Sequence, residues 1–216
     1  MPISDKYSRL ILVRHGESNW NARGLWTGWK DIDLSEKGRQ EAKSAGAVIK
    51  DIAVDLAITS DLKRAYHTLS IISQVLNYPN LKIIKDKNVR ERNYGKYTGL
   101  SKWKIKADLG DEKFTEIRRG WDVAIPEGES LKDVYKRVLI NYNMHILPAI
   151  KKARNVLYVT HGNTNRALIK HLEKISDDKI SSIEMLTGEV IVYQMDISGK
   201  VHAKEKRAVN LHHGNQ

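Results

Sequence analysis

Two short apolar runs in this sequence stop in the same way, on a histidine followed by a glycine. The first is Leu10-Ile11-Leu12-Val13, followed by Arg14-His15-Gly16-Glu17. The second is Asn155-Val156-Leu157-Tyr158-Val159-Thr160, followed by His161-Gly162-Asn163. Short apolar runs without a helical period read as buried strands. Ligands of open α/β sheets bind outside the carboxyl ends of the strands. If both runs lie centrally in one sheet, both histidines emerge at the same edge. Either histidine alone is more often a structural residue at a loop start; the repeated strand–His–Gly pattern shifts that balance for the pair.

The remaining segments alternate strand and helix. Residues 8–14 form the first strand, and 15–34 a polar loop with one helical turn, long enough to suggest function. Ser35 caps a helix whose inward face is Ala42, Ala45, Val48 and Ile49. A strand at 55–59 precedes a helix capped by Ser60, with Leu62, Ala65, Tyr66, Leu69, Ile72 and Leu76 at helical spacing. Residues 81–85 are a third strand and 86–100 a second polar loop. Ser101 to Leu109 and Glu112 to Arg119 read as short helices, and Gly120 to Gly128 as a linker. A long amphipathic helix runs from Ser130 to about Lys151, where Pro148 ends or kinks it. After the strand at 155–160 come a helix at 164–172 and a last strand at 190–195. This order predicts an α/β fold, a three-layer α/β/α sandwich with a mostly parallel central sheet. It also predicts a single domain over 1–216 with a flexible, solvated C-terminal tail at about 203–216.

Composition narrows the partners. The chain has 216 residues, 41% of them hydrophobic, and no cysteine, which excludes disulfides, thiol catalysis and thiolate metal sites. No apolar stretch suits a membrane span or a signal-peptide core, so a cytoplasmic location is expected. Lys and Arg number 37 against 26 acidic residues, a net charge of +11, which favours anionic partners. The basic residues are scattered, with Lys200 to Arg207 the nearest thing to a cluster. No nucleic-acid module is recognisable, so neither a nucleic-acid nor a membrane partner is expected.

A phosphoryl-transfer site needs a nucleophile and several fixed positive charges or donors. A neutral histidine with one nitrogen free serves as the nucleophile, and His15 is the candidate. Arg14, Arg64 and His161 can form the cationic cradle; Arg64 lies in the first turn of the helix after the second strand. Glu91 is the candidate proton carrier. His-Glu-x-x-His, Asp-rich loops and phosphate-cradling glycine motifs are absent, so no metal site or nucleotide cradle is expected.

The stretch Arg14-His15-Gly16-Glu17-Ser18-x-Trp20-Asn21 resembles the signature of the histidine phosphatase superfamily. Thr27-Gly28-Trp29-Lys30-Asp31, Glu91-Arg92-x-Tyr94-Gly95, Arg118-Arg119-Gly120, Gly128-Glu129-Ser130-Leu131, His161-Gly162-Asn163 and Arg166-Ala167-Leu168 resemble, in collinear order, the cofactor-dependent phosphoglycerate mutases of that superfamily. The resemblance covers about residues 9 to 195. It implies an isomerase of glycolysis and gluconeogenesis that interconverts 3- and 2-phosphoglycerate, primed by 2,3-bisphosphoglycerate, without a metal. His15 would carry the phosphoryl group, Arg14, Arg64 and His161 would hold it, and Glu91 would act as general acid and base. Ser18, Asn21, Thr27, Gly28, Tyr94, Lys102, Arg118, Arg119, Gly162 and Asn163 would bind substrate. Thr164-Asn165 departs from the usual Ser-Leu, and the insertion of longer members after Gly120 is missing. The resemblance therefore leaves monomer and homo-oligomer both open. A phosphatase of the same superfamily and a basic binding protein are the competing readings; the second leaves both strand–His–Gly turns unexplained.

Overall fold

The computed structural model describes residues 7–208. Strand β1 (Ser8–Arg14) and strand β4 (Val156–Thr160) are completely buried along their apolar runs. They pair in parallel, with Leu10 opposite Val156 and Arg14 opposite Thr160. Strands β2 (Leu56–Thr59) and β3 (Ile83–Lys85) continue the parallel part, and β5 (Val190–Met195) and β6 (Val201–Ala208) add two antiparallel strands on the other side. The sheet order is β3-β2-β4-β1-β5-β6. Among the described residues, no helix is long and apolar enough to cross a membrane.

The pleat divides the apolar runs between two cores, because alternate side chains point to opposite faces. Leu10, Leu12, Val156 and Tyr158 pack with Leu131, Val134, Val138 and Leu168 on one side. Those partners belong to helices α6 (Leu131–Asn141) and α8 (Gly162–Glu173). Ile11, Val13, Leu157 and Val159 pack with Ala45, Ile49, Leu69 and Ile72 on the other. Most of those come from α2 (Glu36–Ala47) and α3 (Lys63–Val75). Complete burial of each Leu, Ile or Val side chain contributes about 1.5–3 kcal/mol. The expected α/β/α sandwich is therefore present, with a mixed sheet. A third, small cluster of Trp26, Ile105 and Phe114 lies under α4 (Lys102–Leu109) and α5 (Asp111–Arg119), beside the carboxyl edge of the parallel strands.

Two local expectations are corrected and a third is refined. Residues 203–208 are not a frayed tail: they belong to β6, whose backbone pairs with β5. Ion pairs from Lys204 to Glu173, Lys206 to Glu189 and Arg207 to Asp51 hold its charged side chains. The rest of the expected tail, 209–216, lies outside the described residues. Ser60 does not cap α3 as its N-cap residue, which is Leu62; its hydroxyl accepts the Leu62 N–H at 3.2 Å and turns to the site. The helix after Ser130 passes through a π-helical turn at Tyr142–Ile146 before α7 (Leu147–Ile150). Pro148 has no N–H and its ring crowds the carbonyl four residues back, and the wider turn relieves that strain.

The loop after β1 is held by a close backbone approach. A Cβ on Gly38 would overlap the Glu17 carbonyl, and one on Gly16 would overlap the Gly38 carbonyl. Gly38→Ala should therefore push the 16–17 backbone away from α2. The expected cost is about 1–3 kcal/mol in urea unfolding, together with a shift of the His15 ring resonances in NMR. Unchanged His15 resonances in Gly38→Ala would show that this contact does not position His15.

Candidate active site

His15 and His161 leave adjacent strands at the same edge. The His15 N–H donates to the Thr160 carbonyl at 2.8 Å, and the two rings meet edge to face with centroids 5.0 Å apart. Both side chains are buried. His15 Nδ1 is 2.7 Å from the Gly16 carbonyl oxygen, which can only accept, so Nδ1 carries the proton. Nε2 is then the lone-pair nitrogen, and it accepts from Arg64 Nε at 3.3 Å. Burial, reinforced by Arg64 and Arg14, holds the His15 pKa well below the ordinary histidine value. Burial does the same for His161, reinforced by Arg64 and by His15.

The arginines are fixed by backbone carbonyls. Arg64 is buried and donates to the carbonyls of Lys30 (2.9 Å) and Gly28 (2.7 Å). Arg14 Nη1 donates to the Met185 carbonyl at 2.8 Å. Arg166 donates to the carbonyls of Ile183, Arg119 and Ile180 and to Asn163 Oδ1, all at 2.8–2.9 Å. Asn163 in turn donates through Nδ2 to Glu91 Oε1 (3.1 Å) and to the Tyr94 hydroxyl (2.8 Å). Glu91 Oε1 also accepts the N–H groups of Arg92 (2.7 Å) and Asn163 (3.2 Å), the latter in the first turn of α8. Helix N-termini favour negative charge through their free N–H groups. The Trp29 indole donates to the Glu91 carbonyl at 2.7 Å, tying the Thr-Gly-Trp loop to the Glu-Arg loop.

These groups open into a cleft with about 640 Å³ of empty space. Of the residues singled out from sequence, Arg14, His15, Asn21, Thr27, Arg64, Glu91, Tyr94, Lys102, Arg118, Arg119, Gly162 and Asn163 line it. Three others do not. Ser18 is buried as the N-cap of α1 (Asn19–Ala22), where its hydroxyl accepts the Asn21 N–H. Gly28 contributes its carbonyl to Arg64. His161 sits behind His15, with Nε2 2.7 Å from the Ser60 hydroxyl. Sequence reasoning gave Ser60 only a helix-capping role and gave Arg166, Glu184 and Met185 none; Arg166 stood within a matching motif, and the last two carried no local signal. Asn165, one of the departures, donates to the Val13 carbonyl at 3.3 Å and accepts from Thr160 at 2.8 Å, so it clamps the ends of β1 and β4.

The cleft is strongly cationic: Arg14, Arg64, Lys102, Arg118, Arg119 and Arg166 face only Glu91 and Glu184. Burial, with the charges of Arg118 and Arg14, pushes the Lys102 pKa down to about 7. Among the described residues, Arg14 Nε, Thr27 Oγ1 and His161 Nδ1 are buried without a hydrogen-bond partner. Unsatisfied buried polar atoms are costly, and an oxyanion bound in the cleft would meet Arg14 and Thr27, which line it.

The chain matches the family model of the histidine phosphatase superfamily (branch 1) over residues 10–205. It is 42% identical to the 2,3-bisphosphoglycerate-dependent phosphoglycerate mutase of Methylocella silvestris over 198 residues, 91% of this chain and 96% of that one. It is 46% identical to the phosphoglycerate mutase of Schizosaccharomyces pombe over 198 residues, 91% of this chain and 94% of that one. Among solved structures, a mycobacterial glucosyl-3-phosphoglycerate phosphatase superposes with a TM-score of 0.76 at 26% identity, covering 95% of this chain and 99% of that one.

Two buried neutral histidines make stability depend on pH in a defined direction. Below the ordinary histidine pKa the unfolded chain binds their protons and the folded chain does not, so stability falls as the solution is acidified. The slope is about 1.4 kcal/mol per pH unit for each histidine, from about pH 6.5 down to the lowered native pKa. Urea unfolding between pH 7 and pH 5 should show this slope, and it should flatten in a His15→Asn, His161→Asn double variant. A slope equally steep in that variant would assign it to other groups.

Proposed function

The chain belongs to the histidine phosphatase superfamily, branch 1, and from its 42% and 46% identity to two phosphoglycerate mutases over 91% of its length we infer a phosphoglycerate mutase, an isomerase that interconverts 3-phosphoglycerate and 2-phosphoglycerate. The observation that carries the chemistry is the His15 imidazole. It is neutral and buried, with Nδ1 committed to a carbonyl and Nε2 beside Arg64 at a cationic cleft.

His15 Nε2 attacks phosphorus as the P–O bond to the phosphoglycerate oxygen breaks, that oxygen leaves as a hydroxyl protonated by Glu91, and His15 becomes the phosphoryl carrier. Arg64 and Arg14 hold the developing charge on the transferring oxygens, held by carbonyls so that they need little reorganisation. His161 adds a neutral donor in the tautomer that takes the Ser60 hydroxyl proton at Nε2, 2.7 Å away, and keeps the ring proton on Nδ1, the atom without a partner. Glu91 Oε1 is held by three N–H groups, which leaves Oε2, beside Gly162, to take the proton of the attacking hydroxyl and return it. Lys102, Arg118, Arg119, Tyr94, Asn163, Asn21 and Thr27 bind the carboxylate and the non-transferring phosphate. Ser18 supports this set by capping the helix that carries Asn21, and Gly28 by fixing Arg64.

2,3-Bisphosphoglycerate fits the donor set, since five arginines, Lys102 and the unsatisfied Arg14 Nε and Thr27 Oγ1 suit a polyanion. When bound it supplies the phosphoryl group that first charges His15. Monophosphoglycerates are the small-molecule partners, and a cytoplasmic place in glycolysis and gluconeogenesis goes with the reaction. The likeness to a phosphatase structure favours a second reading, in which water accepts the phosphoryl group. The paired Arg118 and Arg119 and the Thr27-Gly28-Trp29 loop weigh against it, because they anchor a second anionic group that a hydrolase has less need to retain.

A coupled assay tests the assignment. Purified protein should convert 3-phosphoglycerate to 2-phosphoglycerate, reach full rate only with 2,3-bisphosphoglycerate, and keep that rate in EDTA. Glu91→Gln should lower kcat by about 100-fold or more. Release of inorganic phosphate without isomerisation would favour the phosphatase instead.

A further inference from the structure

Glu184 has no part in the chemistry above, yet its carboxylate lies in the cleft. The backbone on both sides of it is pinned by cleft arginines. Ile183 accepts from Arg166 Nε and Met185 from Arg14 Nη1, each at 2.8 Å. Arg166 also holds the Arg119 carbonyl at 2.8 Å, so one guanidinium fixes the chain at both members of the next pair. Between these anchors the Glu184 carboxylate makes an ion pair with Arg119 Nη2. Arg119 keeps only 19% of its side chain exposed, and Glu184 covers it from the cleft rim with 42% exposed.

Burial alone would raise the Glu184 pKa. The hydrogen bond from Arg119 and the charges of Arg119, Arg118 and Arg14 outweigh it and hold the carboxyl below its ordinary value. The group is therefore negative at neutral pH.

We propose that Glu184 is a specificity-determining residue that selects ligands by charge: a resident carboxylate on Arg119 that an incoming anionic group must displace or share. The identity of the ligands rests on the mutase reading; the pairing does not. A carboxylate of the chain on a substrate-binding arginine competes with ligand carboxylate or phosphate for the same donors. It also repels each further negative charge brought beside it. Affinity is thus lowered for every anion, and lowered more for a bisphosphoglycerate than for a monophosphoglycerate. Arg119 stays oriented while the cleft is empty, and the more highly charged ligand is kept from occupying the cleft too tightly for turnover.

The test is calorimetric binding of inorganic phosphate, 3-phosphoglycerate and 2,3-bisphosphoglycerate to the full chain and to Glu184→Gln. The variant should bind 3-phosphoglycerate roughly three- to tenfold more tightly, the range of a partly exposed charge contact, and gain more for 2,3-bisphosphoglycerate. The gain should shrink when Arg119→Gln is already present, the signature of a coupled pair. Glu184→Ala, with circular dichroism to confirm its fold, should shift affinity in the same direction, because the effect comes from charge rather than shape. Unchanged or weaker binding in both variants, or an equal gain for both phosphoglycerates, would overturn the proposal. A gain in affinity in a protein that never isomerises 3-phosphoglycerate would uphold the pairing while removing the mutase reading.

Discussion

The edge that carries both histidines depends on the pairing of β1 with β4 in one register, Arg14 opposite Thr160. That register puts His15 and His161 on neighbouring strands at the same height, with the His15 N–H on the Thr160 carbonyl. A slip of one residue would turn every side chain of β1 to the other face. It would exchange Leu10 and Leu12 for Ile11 and Val13 between the two cores and carry His15 away from His161. Both cores therefore enforce the register. Asn165 adds a polar clamp from α8 across the two strand ends.

From that edge inward, burial sets the chemistry. Desolvation keeps both histidines neutral, so one can act as a nucleophile and the other as a donor without a net charge. The same burial lowers the Arg64 and Arg166 pKa values only to about 10, so both stay cationic. Arginine suits this role: its fork lets carbonyls hold it on one side while its charge faces the cleft. The result is a rigid positive cleft whose geometry comes from main-chain acceptors.

The strand–His–Gly turns, the two main helical faces and the approximate places of Arg64 and Glu91 were legible because each has a local signature: a short apolar run, a 3.6-residue period, a position just after a strand. Strand β6 was not. Lys204, Glu205, Lys206 and Arg207 show no alternating apolar face, and the strand is held by backbone pairing and ion pairs at the sheet edge. Charged edge strands of this kind resist further pairing and carry little hydrophobic signal. Ser60, Arg166 and Glu184 were illegible for a different reason. Each acts through a partner distant in sequence, and side chain to carbonyl contacts leave no periodic trace.

The central claim is that His15 accepts the phosphoryl group at Nε2, because Nδ1 is committed to the Gly16 carbonyl. Phosphorus NMR of the protein treated with 2,3-bisphosphoglycerate, with the modified peptide identified by mass spectrometry, tests it directly. The account predicts one acid-labile phosphohistidine, at His15 and on Nε2. A phosphoryl group on Nδ1 of His15, or on His161, would contradict it.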